Sequence, residues 1–348
     1  MGKNQTKGLS LIDKNLTLWI FLAMALGTAI GHFFPSVSHM IDSLSIGSTN
    51  IPMAIGLIIM MYPPLAKVNY ALLPSVLKEG RLVMVSILLN WVIGPFLMFG
   101  LSVLFLSEYP DLMTGVILIG LARCIAMVLV WNDLAEGHSD FAAGLVALNS
   151  IFQVFVYAFY AWFFITWLPP VFGLRGSAID LSILDVAESV SIYLGIPFLL
   201  GFLTRRILIS QKGVNWYDKT FIPRLSPFTL IALLFTIVLM FSLKGGLILS
   251  LPHQVLLVGV PLLIYFLLMF GIGFFISKVR GGTYEKSTAV AFTAAGNNFE
   301  LAIAVAISVF GIASDQAFVG VVGPLIEVPA LLALVKVSFW IKEKYYSK

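Results

Sequence analysis

The sequence predicts an all-α integral membrane protein with ten transmembrane helices, and two observations lead to this prediction. Of the 348 residues, 59% are apolar and only 11% are charged, and the mean hydropathy is +1.00. A soluble globular protein carries roughly 25% charged residues, so a soluble fold of this length could not cover its surface. The second observation is that the apolar residues fall into ten runs, each long enough to cross a bilayer.

The ten runs are identified by the length of about 20 mainly apolar residues that a transmembrane helix needs. We number them spans 1 to 10. Their approximate bounds are 16–34, 47–66, 82–106, 111–132, 141–168, 187–209, 227–249, 254–277, 287–311 and 317–340. No cleavable signal peptide is predicted, because span 1 already reaches membrane length and no small-residue cleavage site follows it.

Helix breakers are expected at the joints between spans. They are Pro35, Pro110, Pro169-Pro170, Pro223 and Gly281-Gly282.

The positions of the basic residues predict that both termini are cytoplasmic. Basic side chains gather before span 1, between spans 2 and 3, 6 and 7, and 8 and 9, and after span 10. With ten spans, all of these segments lie on the same side of the membrane, and the opposite side has only Arg175 and Lys244. The net charge of +4 therefore reflects membrane topology, and nucleic acid is not expected as a partner.

The chain divides into two halves of five spans, which cross the membrane in opposite orientations. If the halves are homologous, they form a 5+5 inverted repeat, the common architecture of secondary transporters. The sequence similarity between the halves is weak, so ten unrelated helices stay open as the alternative.

Spans 4 and 9 occupy corresponding places in the two halves, and polar residues interrupt both. Span 4 contains Arg123 beside Cys124, and span 9 contains Asn297, Asn298 and Glu300 among alanines. A charge at the centre of a membrane helix costs roughly 2.5–3.5 kcal/mol, so neither Arg123 nor Glu300 should face lipid. Paired interruptions predict the binding site of a transporter. The alternative is a structural ion pair between Arg123 and Glu300.

Further polar residues lie in spans 3, 5 and 10. In span 10, Glu327 lies between two prolines, which predicts either a polar cavity lined by this carboxylate or a kinked helix that packs it. Asn90, Asn149 and Gln153 are more typical of hydrogen bonds between helices than of a substrate contact.

Cys124 is the only cysteine, which excludes an intramolecular disulfide and a metal site built from several cysteines. The neighbouring Arg123 cation favours the thiolate, and a thiolate is a soft ligand. The sequence therefore predicts a pathway for a soft, thiophilic metalloid, with a single sulfur that permits release. The alternative is that Cys124 packs as a small apolar residue.

An enzyme is not expected. A thiol nucleophile needs a base, and the four histidines, His32, His39, His138 and His253, lie near the ends of spans. No catalytic residue, cofactor or nucleotide-binding GxxxxGK[ST] motif is predicted.

Four segments resemble characteristic segments of the Acr3 arsenite-efflux family, which belongs to the bile acid/sodium symporter superfamily. The most specific is Gly-Leu-Ala-Arg-Cys-Ile-Ala-Met-Val-Leu-Val-Trp-Asn at 120–132. The others are residues 16–24, 296–304 and 323–329, so the resemblance extends over essentially the whole chain.

The resemblance implies efflux of trivalent arsenic, and in some members antimony, across the plasma membrane in exchange for protons. An essential cysteine of the family matches Cys124, and an essential glutamate matches Glu300. The expected substrate site therefore contains Cys124, Arg123, Asn297 and Asn298, with Cys124 as the arsenic ligand. Glu300 is expected to bind the exchanged proton, with Glu327 as a second carrier.

The resemblance also implies two domains. A panel domain would contain spans 1, 2, 6 and 7, at about 16–66 and 187–249. A core domain would contain spans 3–5 and 8–10, at about 82–168 and 254–340, where the interrupted helices 4 and 9 cross. The remaining alternative on the same fold is a sodium-coupled symporter of organic anions.

Overall fold

The computed structural model describes residues 16–34, 36–37, 40, 43–46, 49–174, 181–243 and 251–346. Most of them are helical, and a two-residue antiparallel pairing joins β1 (Ser45–Ile46) to β2 (Thr49–Asn50). Part of the evidence for orientation, including Lys3, Arg175 and Lys244, lies outside the described residues, as do His39 and Pro35.

The helices of the described segments follow one another through short connections. They are α1 (Leu16–Phe33), α2 (Ile51–Lys67), α3 (Gly80–Leu106), α4 (Pro110–Leu121), α5 (Met127–Leu134), α6 (Ser139–Val171), α7 (Ile183–Lys212), α8 (Val214–Ser242), α9 (Leu251–Val279), α10 (Tyr284–Ala295), α11 (Phe299–Phe310) and α12 (Asp315–Tyr345). A 3₁₀ turn (Tyr70–Leu72) and a short helix (Leu73–Leu77) connect α2 to α3.

By length and composition, seven helical segments in the described ranges are able to cross a membrane. They are Ile51–Leu77, Gly80–Leu106, Ser139–Val171, Ile183–Lys212, Val214–Ser242, Pro252–Val279 and Asp315–Tyr345. Three further apolar helices are shorter: Leu18–Phe33, Pro110–Leu121 and Phe299–Phe310. Large apolar side chains such as Leu104, Phe155 and Leu184 are more than 70% exposed, as expected of helices whose outer faces contact lipid. The chain is therefore a multi-pass helical membrane protein.

Spans 4 and 9 are interrupted, as the sequence predicts. In span 4, α4 ends at Leu121 and α5 begins at Met127. In span 9, α10 ends at Ala295 and α11 begins at Phe299. Each interrupted span is thus two short helices separated by a few non-helical residues.

Two of the expected helix breakers lie inside helices instead. Pro169 is in the last residues of α6, and Pro223 is inside α8. In α3, α6, α7 and α8, a five-residue π-helical segment ends two residues before a proline: Pro95, Pro169, Pro197 and Pro223. Proline has no N–H and clashes with the carbonyl one turn earlier, and the wider π turn removes this clash. These helices therefore continue through the proline.

The helices pack in two groups. In the first group, α8 lies against α1 and α2, and α7 lies against α2. Glycines bring α1 and α8 together: a Cβ atom on Gly27 would lie 2.5 Å from the carbonyl oxygen of Val238, and one on Gly31 would collide with the carbonyl oxygen of Ser242. Such small-residue contacts are typical of membrane helices. The close approach fixes the position of α1 on α8.

The second group is centred on α9, which packs against α3, α10 and α12. In the same group α4 packs against α3 and α12, α6 packs against α5 and α10, and α11 packs against α12. The groups touch where α7 meets α6 and α11, and where α11 meets α2. The two interrupted spans both lie in this second group.

Candidate functional site

The two interruptions lie side by side in the middle of the second helix group. The C-cap residues that follow α4 and α10, Ala122 and Gly296, are both in extended conformation. This allows the two non-helical segments to form an antiparallel bridge, with Arg123 opposite Asn297. Two helix C-termini and two helix N-termini therefore meet at one point. A helix end leaves backbone groups unpaired, and inside a membrane the protein itself must supply their partners.

Asn297 and Asn298 supply some of these partners. The Asn297 side chain donates from Nδ2 to the carbonyl oxygens of Ile119 and Ala122, at 2.9 and 3.1 Å, and so caps the end of α4. Asn298 is the N-cap of α11, where its Oδ1 accepts from the N–H of Leu301 at 3.1 Å. Within the described residues, Asn297 Oδ1 and Asn298 Nδ2 remain without a partner, although both atoms are buried. Each amide thus has one group that no described residue satisfies.

Cys124 lies in the break of span 4, and its side chain is 4% exposed. Its N–H donates to the carbonyl oxygen of Gly296 at 3.3 Å, and its Sγ accepts from the N–H of Val128 in the first turn of α5 at 3.4 Å. A Cβ atom on Gly296 would lie 3.1 Å from Cys124 Cβ and 3.5 Å from Glu327 Oε1. The thiol, the glycine and this carboxylate therefore form one small neighbourhood.

Arg123 is fully buried, and its neighbours differ from those of the adjacent thiol. Its Nη1 donates to the hydroxyl of Tyr265 on α9 at 2.7 Å and approaches Gly94 on α3. Its Nε and Nη2 have no partner within the described residues. No hydrogen bond joins the guanidinium to the Cys124 sulfur in this part of the chain. Adjacency in sequence therefore does not give contact between the two groups.

The structural ion pair considered from the sequence is not formed. Among the described residues, neither Glu300 nor Glu327 has an oxygen within 4.0 Å of a basic nitrogen. Two nitrogen atoms of the buried Arg123 guanidinium, Nε and Nη2, instead have no partner among these residues. Burying charged groups without partners costs free energy. Such groups are more typical of a binding site than of a structural contact.

The two carboxylates occupy different environments. Glu327 on α12 is 3% exposed, and its Oε1 accepts from the Asn297 N–H at 3.1 Å. Glu300 is in the first turn of α11, where the helix dipole favours a negative charge, and it is partly exposed. It lies within electrostatic range of both Glu327 and Cys124. Of the six candidate residues, Glu300 is the one that the surrounding protein does not fully enclose in this conformation.

Gln153 on α6 holds the break of span 4 as Glu327 on α12 holds the break of span 9. Its Oε1 accepts from the Arg123 N–H at 3.0 Å, and it lies 30 residues after Arg123. Glu327 likewise lies 30 residues after Asn297, whose N–H it accepts. The same number of residues separates Arg123 from Asn297 and Gln153 from Glu327. Both breaks are thus held in the same way by the following helix.

The sequence predicted hydrogen bonds between helices for Asn90, Asn149 and Gln153, and it missed Tyr265. Gln153 holds the break of span 4, and Tyr265 is the hydrogen-bond partner of Arg123. Asn90 bonds within its own helix, to Ser86, and not to another helix. Asn149 does join two helices, because its Oδ1 accepts from Trp91 Nε1 at 3.0 Å. The equal spacings around the two breaks are a signal that could have identified Gln153.

The arrangement offers one sulfur ligand, two amide groups, a cation and two carboxylates around a buried junction. The described residues contain no group of three or more His, Cys, Asp and Glu side chains placed to bind a metal ion. Cys124 would thus supply the single protein thiol for a bound metalloid. The junction can bind a small polar solute that has some affinity for sulfur, and its carboxylates can bind protons.

Comparison with known proteins gives consistent matches over most of the chain. Residues 54–251 match the model of the Sodium Bile acid symporter family. The arsenical-resistance protein Acr3 of Corynebacterium glutamicum is 48% identical over 97% of this chain and 91% of its own length. An uncharacterized transporter of Synechocystis sp. is 35% identical over 95% and 90%, and the arsenical-resistance protein Acr3 of Alkaliphilus metalliredigens is 31% identical over 96% and 94%.

Proposed function

The chain belongs to the Sodium Bile acid symporter family and, within it, to the Acr3 family, and from this we propose that it exports arsenite from the cytoplasm in exchange for protons. Two relatives bear the name of arsenical-resistance proteins. The observation that carries the proposal is the position of Cys124, the one thiol of the chain, at the junction of the two interrupted spans. Its placement suits a cargo that bonds to a single sulfur and then leaves.

The proposed binding step is a ligand exchange on arsenic. Arsenite in neutral solution is the uncharged As(OH)₃. The Cys124 thiol forms an S–As bond, one As–O bond breaks, and the thiol proton leaves with that hydroxide as water. The free Asn297 Oδ1 and Asn298 Nδ2 are available to the two remaining hydroxyl groups. Because water reverses the same step, a single sulfur allows the cargo to be released.

The proposed proton site is Glu300, with Glu327 as a second carrier. Glu300 is partly exposed and so can exchange a proton with solvent, and Glu327 lies next to the thiol. Arg123 contributes a fixed positive charge to the same buried cluster, held by Tyr265. Protonation of a carboxylate changes the net charge of this cluster, and this shifts the population between inward-facing and outward-facing conformations.

We also propose the architecture that this function requires. Ten spans would form a 5+5 inverted repeat, supported by the matched hydrogen bonds of Gln153 and Glu327. The first helix group, α1, α2, α7 and α8, would be the panel domain, and the second group the core domain. The core would carry the site across the membrane by moving against the panel.

Both termini are proposed to be cytoplasmic in the plasma membrane. Three ion pairs join segments that this orientation places in the cytoplasm. They are Lys286–Glu79, Lys342–Glu136 and Arg205–Asp218.

The transport proposal is tested with the purified full chain in liposomes. We expect arsenite to move against its own gradient when a pH gradient is imposed, and a sodium gradient alone to drive no movement. The measurement is arsenic inside the vesicles by mass spectrometry, with protein-free liposomes as the control. Sodium-driven uptake of an organic anion, without arsenite movement, would overturn the proposal in favour of an organic-anion symporter.

A second prediction concerns Glu327, whose side chain both holds the span 9 break and is proposed to carry a proton. Glu327→Gln keeps an acceptor for the Asn297 N–H, as Gln153 does for Arg123, but cannot bind a proton. We expect this variant to keep its thermal stability and to exchange fewer protons per arsenite. The measurement is the ratio of proton flux to arsenite flux in liposomes.

Gln153→Ala is the matched structural control for this variant. It removes the acceptor of the Arg123 N–H without removing a titratable group. An unsatisfied buried N–H costs about 1–3 kcal/mol, so the control should be less stable with an unchanged flux ratio. An unchanged ratio in Glu327→Gln would assign Glu327 a structural role only.

A further inference from the structure

A cleft remote from the transport site brings two arginines together at one end of α3 and α9. Arg81 is at the N-terminus of α3, and Arg280 directly follows the C-terminus of α9. Both side chains line a cavity of about 330 Å³, together with Gly80, Met84, Val85 and Leu88. None of the residues that line the cavity is acidic, so the two positive charges are not neutralised inside it.

The neighbouring charged residues already have partners. Lys286 pairs with Glu79 at 2.7 Å, so the carboxylate next to this cleft is neutralised. Lys278 lies over the ring of Tyr345, at 4.6 Å from its centroid. By contrast, Arg81 and Arg280 make no ion pair or ring contact with the residues that the structure describes. Two unpaired guanidinium groups from different helices therefore face one cavity.

The walls of the cleft change from polar to apolar along α3. Met84 and Leu88 follow Arg81 along α3, one helical turn apart, and they are 56% and 45% exposed. Side chains of this type on an outer helix surface contact acyl chains. The end at Gly80 is open, since a Cβ atom there would meet nothing within 4 Å, and the helix N-terminus adds partial positive charge. The cleft thus combines two cationic side chains with an exposed apolar surface.

We propose that this cleft binds the phosphate headgroup of an anionic phospholipid, with Arg81 and Arg280 as its ligands and α3 as the support for an acyl chain. Arginine suits this role because its planar guanidinium can bind phosphate through two hydrogen bonds. Basic pockets between membrane helices on the cytoplasmic side are known to bind anionic headgroups. The proposed site lies outside the junction of the interrupted spans, so it is independent of what the protein transports.

Native mass spectrometry of the purified full chain tests this proposal. The protein is titrated with phosphatidylglycerol and, in parallel, with phosphatidylcholine of the same acyl chains. Each of the two arginines that line the cleft is expected to contribute about fivefold to the binding of a phosphatidylglycerol molecule there. We expect the Arg81→Gln/Arg280→Gln double variant to bind phosphatidylglycerol roughly 25-fold more weakly, with phosphatidylcholine binding unchanged.

The matched control is Lys219→Gln/Arg224→Gln, which removes two exposed positive charges that lie outside the cleft. It should bind phosphatidylglycerol as the unmodified protein does. Equal losses in both double variants, or no loss in Arg81→Gln/Arg280→Gln, would overturn the proposal. Inorganic phosphate separates the headgroup from a free anion: if it displaces phosphatidylglycerol at equal concentration, the site binds phosphate and not lipid. Size-exclusion chromatography of each variant verifies that it is folded.

Discussion

Cys124→Ala is expected to reduce arsenite transport in liposomes to the rate of protein-free vesicles, while the protein stays folded. Cys124 is the only cysteine of the sequence, so no other thiol can replace it in the S–As bond. The structural cost is small, because the substitution removes one sulfur, whose hydrogen bond to the Val128 N–H is 3.4 Å long. Leaving that N–H without an acceptor costs about 1–3 kcal/mol, which a folded membrane protein can sustain.

Two further variants show what the loss means. Cys124→Ser keeps the size of the side chain and an acceptor for Val128, but a hydroxyl lacks the affinity of sulfur for a soft metalloid, so it should be as inactive as Cys124→Ala. Ile125→Val changes packing at the adjacent buried position and should transport normally. Thermal stability of each purified variant is measured in the same detergent. Normal arsenite transport by Cys124→Ser would remove the thiol from the mechanism.

Much of the fold could be predicted from the sequence, because the membrane imposes simple rules on it. Apolar runs of membrane length locate the helices, and charged or amide side chains in the middle of a run locate the breaks. Arg123 and Asn297 were identified in this way, and they lie opposite each other in the structure. Prolines were a poorer guide, because Pro169 and Pro223 follow π-helical segments and do not end their helices.

The contacts inside the site were harder to predict, because they depend on the direction of side chains and not on their order. Formal charge suggested that Arg123 pairs with Glu300, whereas its hydrogen-bond partner is the hydroxyl of Tyr265. Tyrosine does not interrupt an apolar run, so hydropathy gives no signal for it. Likewise, Gln153 and Glu327 each hold a break from a position 30 residues later in the chain, a separation that only the fold can close.

Glu300→Gln is expected to abolish transport of arsenite driven by a pH gradient. The amide is nearly the same size as the carboxylate and can still accept hydrogen bonds, but it cannot bind and release a proton. In this conformation Glu300 is the partly exposed member of the site, in electrostatic range of Cys124, so it can link a proton from solvent to the state of the thiol. The measurement is arsenite accumulation in liposomes at imposed pH gradients of either direction.

The Glu300→Gln variant also tests whether proton coupling and arsenite binding depend on different residues of the site. If Glu300 only carries the proton, Glu300→Gln should still bind arsenite at Cys124, which is measured as protection of the thiol from alkylation.

Two control variants accompany this test. Glu300→Asp keeps a carboxylate on the first turn of α11 and should recover part of the exchange. Glu188→Gln, at an exposed position on α7, should have no effect. Exchange that continues to follow the pH gradient in Glu300→Gln would move the proton site elsewhere, with Glu327 as the next carboxylate of the same cluster. Loss of thiol protection in that variant would instead mean that Glu300 binds the cargo directly.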